Sequence, residues 1–207
     1  MQKLNKEFYL HTDVALLARM LLGKVVVTKF NNTYTAARIV ETEAYAGIVD
    51  RASHAYNGRR TERTEVMFGE GGAAYVYLCY GIHHMFNIVT NQKNIPDAVL
   101  IRGVEPLEGK QWMLQRFNKT KMETSIGRGP GNAGKALGIF TQHTGHSLLS
   151  KQFFIADDGF ASPAIMTGKR IGVDYAGLHA QWLYRFFIKD HPQVTKHAFN
   201  KTAIELL

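Results

Sequence analysis

"KVVVTKFNNTYTAARIVETEAYAG", Lys24 to Gly47, decides how the chain begins to fold. Two runs rich in Val, Thr, Tyr and Ile flank a turn at "NNT", which reads as two antiparallel strands. The second strand is unusual. Strand side chains alternate, so Ile39, Glu41, Glu43 and Tyr45 share one face while Arg38, Val40, Thr42 and Ala44 share the other. Glutamate is depleted in strands, and two on one face repel each other across about 7 Å. Two explanations compete: both carboxylates pair with arginines on adjacent strands, or one is held in a pocket as a base. A pair of sugar-cleaving carboxylates must face each other across the scissile bond, which neighbours along one strand do poorly.

Upstream, Thr12 or Asp13 can cap a helix through "VALLARMLL", with Gly23 as its stop. That run is too short to span a membrane and carries Arg19. Downstream, "AGIVDRASHAYNGRRTERTEVMFGEGG" is polar with no sustained period, a long loop with short helical turns. "AAYVYLC" and "HHMFNIVTN" flank "YG" and predict a β-hairpin, and "AVLIRGVEPL" a further strand. "EGKQWMLQRF" reads as a helix, "NKTKMETSIGRGPGNAG" as a loop, and "KALGIF" as the start of another helix; short strands and turns fill the last third. With no linker in 207 residues, the expectation is one mixed α+β domain: a curved antiparallel sheet, surrounding helices and a protruding hairpin.

The 25 Lys and Arg outnumber 17 Asp and Glu, a formal charge of +8, which points to a polyanion, nucleic acid before membrane. Residues 1–12 lack signal-peptide features, and the single cysteine, Cys79, fits a reducing compartment, the cytoplasm. Tyr75 and Tyr77 share a strand face, whereas Tyr80 falls at the hairpin tip, where an aromatic can stack on or wedge between bases. The nine histidines show no metal-ligand spacing: His83 and His84 are adjacent, and "HTGH" has no companion Cys or acid. "GPGNAGKA" nearly matches a phosphate loop but puts Ala136 where Ser or Thr must bind magnesium. What remains is a Gly-rich turn into a helix N-terminus, able to hold a DNA phosphate, with Gly131, Asn132 and Lys135 as candidates.

Seven segments then occur in order: "LARMLLGKVVV", "RIVETEAYAG", "ASHAYNG", "MFGEGGAAYVYLCYGIHHMFNIVTN", "AVLIRGVEPLEG", "GRGPGNAGKALGI" and "RIGVDYAG". Over about residues 8 to 190 the chain resembles the alkyladenine (3-methyladenine, or methylpurine) DNA glycosylase family. The resemblance implies a monofunctional hydrolase that flips alkylated or deaminated purines out of double-stranded DNA, acts as a monomer, and needs no metal or organic cofactor. It implies that Glu43 activates water, that Arg102 lies beside that water, and that Glu41 is structural. It further implies that Tyr45 and Tyr77 sandwich the flipped base, His54 contacts it, Asn87 disfavours guanine, and Tyr80 fills the gap in the duplex. The rivals are a non-catalytic nucleic-acid-binding module of the same fold and a nucleoside hydrolase. The first requires a broken base, yet Glu43 is present; the second needs neither the +8 charge nor an exposed Tyr80.

Overall fold

A computed structural model describes residues 1–161 and 164–206. Asp13 does cap the first long helix: its carboxylate accepts from the Ala15 and Leu16 amides at 2.9 and 3.0 Å. Two helices, α1 (Lys6–Tyr9) and α2 (Val14–Met20), follow a short strand β1 (Gln2–Lys3) that the sequence patterns had not marked. Next come β2 (Val25–Phe30) and β3 (Thr33–Tyr45), joined at Asn31 and Asn32, both at positive φ. Such φ values match the twist of a tight hairpin. The 46–73 segment is a loop with two 3₁₀ turns, as its lack of period predicted.

The predicted hairpin forms from β4 (Ala74–Cys79) and β5 (His83–Thr90), and β6 (Asp97–Glu108) lies beside it. Beyond α3 (Lys110–Phe117) the structure departs from the sequence reading. Helix α4 spans Pro130–Leu137 and ends at Gly138, so "KALGIF" finishes a helix and does not begin one. Pro130 occupies the first helical position, where its missing N–H costs nothing. Two of the glycines read as loop are packing residues: a Cβ on Gly131 would meet His83 Nδ1 at 2.7 Å, and one on Gly134 the His84 carbonyl oxygen at 2.6 Å. They let α4 lie close against β5.

The last third holds β7 (Phe153–Asp157), β8 (Ile165–Gly168), β9 (Arg185–Ile188) and β10 (Ile204–Leu206), with a 3₁₀ segment at Asp174–Gln181 that the alternating pattern concealed. The strands form one antiparallel sheet ordered β1-β7-β2-β3-β6-β5-β4, while β9 joins the C-terminal half of β3 and carries β8 and β10. The long strand β3 therefore sits centrally, flanked by β2 then β9 on one side and by β6 on the other. Its Thr42 face is covered by α2, where the Thr42 hydroxyl donates to the Ala18 carbonyl. Its glutamate face turns to the opposite side. No helix among the described residues is long and apolar enough to cross a membrane.

Candidate active site

The predicted β3 alternation holds from Glu41 to Tyr45, but not for Ile39: a register shift between Ile39 and Glu41 leaves Ile39 in the main core with Val40 and Ala44 and not beside the glutamates. Glu41, Glu43 and Tyr45 converge on one face, linked by one guanidinium: Arg102 donates from Nε to Glu41 Oε1 at 3.3 Å and from Nη1 to Glu43 Oε2 at 3.2 Å. Both carboxylates are inaccessible to solvent. A local slip lets Arg102 lie between them. Glu41 pairs with Gly103, and the register recovers at Thr42–Ile101, leaving Arg102 without a ladder partner on β3. Such irregularities re-aim side chains near active sites. Gly103 is required there, because a Cβ would meet the Gln193 carbonyl at 2.9 Å and Glu41 Cβ at 3.1 Å.

The two carboxylates have different surroundings. Glu41 also accepts from Arg185 Nε at 2.7 Å and from the Thr195 amide and hydroxyl at 2.8 and 2.7 Å. Burial pushes its pKa up, but Arg102, Arg185 and Thr195 outweigh that and hold it below the usual value. Glu43 accepts from Tyr45 Oη at 2.8 Å, from the Ile171 amide at 2.8 Å and from Arg102. All three of those partners line a cavity of about 470 Å³. Burial, reinforced by Glu43 and Tyr77, raises the Tyr45 pKa, so the phenol stays protonated and donates.

That cavity gathers the other sequence-derived candidates: Tyr45, His54, Tyr77, Tyr80, Asn87 and Arg102 all line it. Tyr77 stands against His54 with ring centroids 4.6 Å apart, and Tyr75, fully within the wall, meets His54 Nδ1 through its hydroxyl at 2.8 Å. Burial, then Arg63 and Arg59, lowers the His54 pKa to about 4, so its imidazole is neutral at neutral pH. Asn87 is buried and its amide donates to the carbonyls of Tyr75 and Met85, both at 3.1 Å, which fixes its orientation on the wall. Tyr80 is 90% exposed at the hairpin tip. Gly81 has the positive φ expected of the turn, and so does Tyr80, at 52°. A bulky side chain in the left-handed region costs about 1–2 kcal/mol, so the turn carries strain in order to project this ring.

The candidate phosphate group on α4 is less open. Asn132 spends its amide on the Ser125 and Arg128 carbonyls, Lys135 lies 4.7 Å over the Phe117 ring, and Gly131 packs against His83. Pro130, at the start of the helix, does border the cavity.

Two residues that support the site escaped the sequence reading. Asp50 and Arg170 form a fully buried ion pair. Arg170 also donates to the Ala44 and His179 carbonyls at 3.0 and 3.1 Å and lies 4.9 Å from the Tyr45 ring. Asp50 caps the Ala52 amide at 2.9 Å, which anchors the loop bearing His54. Only the "VD" and "KRIG" context carries them in sequence, and neither has a distinctive spacing. Among the described residues, no cluster of three or more His, Cys, Asp or Glu side chains is arranged to hold a metal.

A single sheet that presents a buried carboxylate beneath an aromatic pocket, with an exposed aromatic hairpin beside it, corresponds to a known lineage. The profile of the methylpurine-DNA glycosylase family matches residues 7–192, and the chain belongs to that family. A protein of Desulfitobacterium hafniense named "Putative 3-methyladenine DNA glycosylase" is 42% identical over 202 residues, covering 94% of this chain and 99% of its own. Relatives of the same name from Clostridium perfringens and Chlamydia abortus are 40% and 42% identical, covering 94% and 89% of this chain and 99% and 97% of theirs.

Proposed function

We propose that this DNA glycosylase of base-excision repair extrudes an alkylated or deaminated purine from duplex DNA into the 470 Å³ cavity and hydrolyses its N-glycosidic bond with a water activated by Glu43. The observation that carries this reading is the state of the Glu43 carboxylate. It has about four acceptor sites. Three are filled, each by a residue of the cavity wall. The fourth, on Oε1 beside the Ile171 amide, is the place for a water, while Arg102 holds the other oxygen. As the glycosidic bond lengthens the sugar gains oxocarbenium character, which a nearby carboxylate stabilises while it takes the proton from water.

Tyr45 and Tyr77 supply electron-rich faces, which favour a base made cationic by alkylation. Neutral His54 and the fixed Asn87 amide give the pocket polar edges for discriminating among purines. Tyr80 occupies the space left in the duplex, and weak pairing of the damaged base lowers the cost of extrusion. Every named group comes from one chain, so a monomer suffices. On α4, the helix N-terminus and the Lys135 ammonium are the elements that can meet a phosphate, since Asn132 is engaged internally. The route uses no cofactor.

The test is a panel of duplexes, each with one lesion among 3-methyladenine, 7-methylguanine, hypoxanthine and ethenoadenine, treated with excess enzyme in EDTA. Free base should appear, with strand breakage only after alkali. Base release that stops in EDTA, or spontaneous nicking, contradicts the scheme.

A further inference from the structure

A second cavity, of about 290 Å³, lies on the outer side of His54. Arg51, Arg59 and Arg63 line it, together with the aromatic rims Tyr56 and Tyr175, and none of its lining residues is acidic. The neighbouring Arg60 is neutralised by Glu65 at 2.5 Å, whereas no salt bridge among the described residues engages the three arginines of the cavity. Arg51 lies 5.9 Å over the Tyr56 ring, and Arg63 lies 4.8 Å over Tyr77 with its guanidinium 3.3 Å from His54 Nε2. The field of Arg63 and Arg59 is strong enough to depress His54 further than burial alone does. Tyr175, 72% exposed, is tethered by its hydroxyl to the Ala52 carbonyl at 3.2 Å.

The two cavities share Ser53, His54, Arg63 and Tyr175, so one layer of side chains separates them. Whatever fills the second is therefore within a nucleotide's reach of a base in the first. Unneutralised guanidinium forks match the oxygens of a phosphate, and an aromatic rim suits the adjoining sugar. We propose that the second cavity seats one phosphodiester of the lesion-bearing strand, next to the flipped nucleotide, with Arg51 and Arg59 as its ligands and Tyr175 as its rim. This rests on the reading that the first cavity receives the extruded base. A phosphate seated there would also draw Arg63 away from His54, leaving Nε2 to the base.

The experiment places single neutral methylphosphonates at successive linkages around a hypoxanthine in a duplex and measures binding to the Glu43→Gln chain, which leaves the substrate intact. One linkage beside the lesion should cost roughly tenfold in affinity, as for loss of a hydrogen bond to a charged group. In the Arg51→Gln, Arg59→Gln background that same linkage should cost nothing further, and the slope of log affinity against log salt should fall by about one unit. Lys151→Gln, before β7 at the opposite edge of the sheet, should leave the methylphosphonate profile unchanged. Because Arg51 and Arg59 are exposed, thermal unfolding checks that the double variant is folded. Equal penalties in both backgrounds at every linkage would overturn the phosphate seat while leaving base release by the unaltered chain intact. Failure of that chain to release any base would overturn both readings.

Discussion

The environments of Glu41 and Glu43 differ more than their spacing suggests. The two glutamates lie two residues apart on one strand, on one face, both fully buried and both joined to Arg102. On the Glu41 side, two arginines and both polar groups of Thr195 occupy the carboxylate completely. On the Glu43 side there are three donors, a phenol, an amide and one arginine nitrogen, and all three belong to residues that line the cavity. Burial and residue type are equal in the two cases. What separates the two is the number of donors each carboxylate accepts, four at Glu41 and three at Glu43, and on the proposed reading that difference divides the structural carboxylate from the one that acts on water. Asp97 adds a third case, buried like the others but, among the described residues, hydrogen-bonded through its carboxylate to the Asn91 amide alone, at 2.9 Å. Burial, and then Asp13 and Asp50, raise its pKa to about 6 against the pull of Asn91.

The largest effect should come from Glu43→Gln. Loss of a general base predicts base release slower by roughly 10²–10⁴-fold in single turnover, with lesion binding retained. Glu41→Gln should invert that pattern: breaking a buried ion pair from one side costs about 3–5 kcal/mol of stability, read by denaturant unfolding, with a smaller change in the chemical step. If the two variants exchange behaviours, the assignment of the base fails.

Asp97 tests the contrast by pH. Its folded pKa lies above the unfolded value, so the native state holds a proton through the window from about 4 to 6 that the unfolded chain has released. This group therefore destabilises the fold as pH rises through that window, by on the order of 2–3 kcal/mol at most. Asp97→Asn should be more stable than the unaltered chain at pH 8, and the advantage should vanish near pH 4. An advantage independent of pH would show that titration is not its cause.

Tyr80→Ala should lose about 1–3 kcal/mol of stacking from the flipped state while leaving folding stability nearly unchanged, because the ring is exposed. A fluorescent lesion base would report the extruded fraction, and the loss should shrink in a bulge or mismatch. A fall in melting temperature with flipping intact would place Tyr80 in the core and remove it from the site. The smallest effect is electrostatic: non-specific DNA binding should weaken with salt by several units of log–log slope for a protein of +8.

Short-range physics was readable from the chain. The alternation of β3 placed Glu41, Glu43 and Tyr45 together, Asp13 announced its helix, and the run around Tyr80-Gly81 announced an exposed tip, because propensity and parity act within a few residues. Glycine misled at 131 and 134, where close packing against β5, not chain reversal, was its purpose, while Gly129 does turn the chain at positive φ. The resemblance to a family named Glu43 as the base, but composition and spacing left the two glutamates equivalent. Only tertiary structure distinguished their surroundings: Arg102 and Ile171 reach Glu43 from 59 and 128 residues away, and Arg185 and Thr195 reach Glu41 from 144 and 154. The buried Asp50–Arg170 pair, 120 residues apart, was invisible for the same reason. Local sequence fixes which way a side chain points along its strand; its hydrogen-bond partners, and hence its chemistry, are set by distant segments that meet it only when the sheet has closed around it.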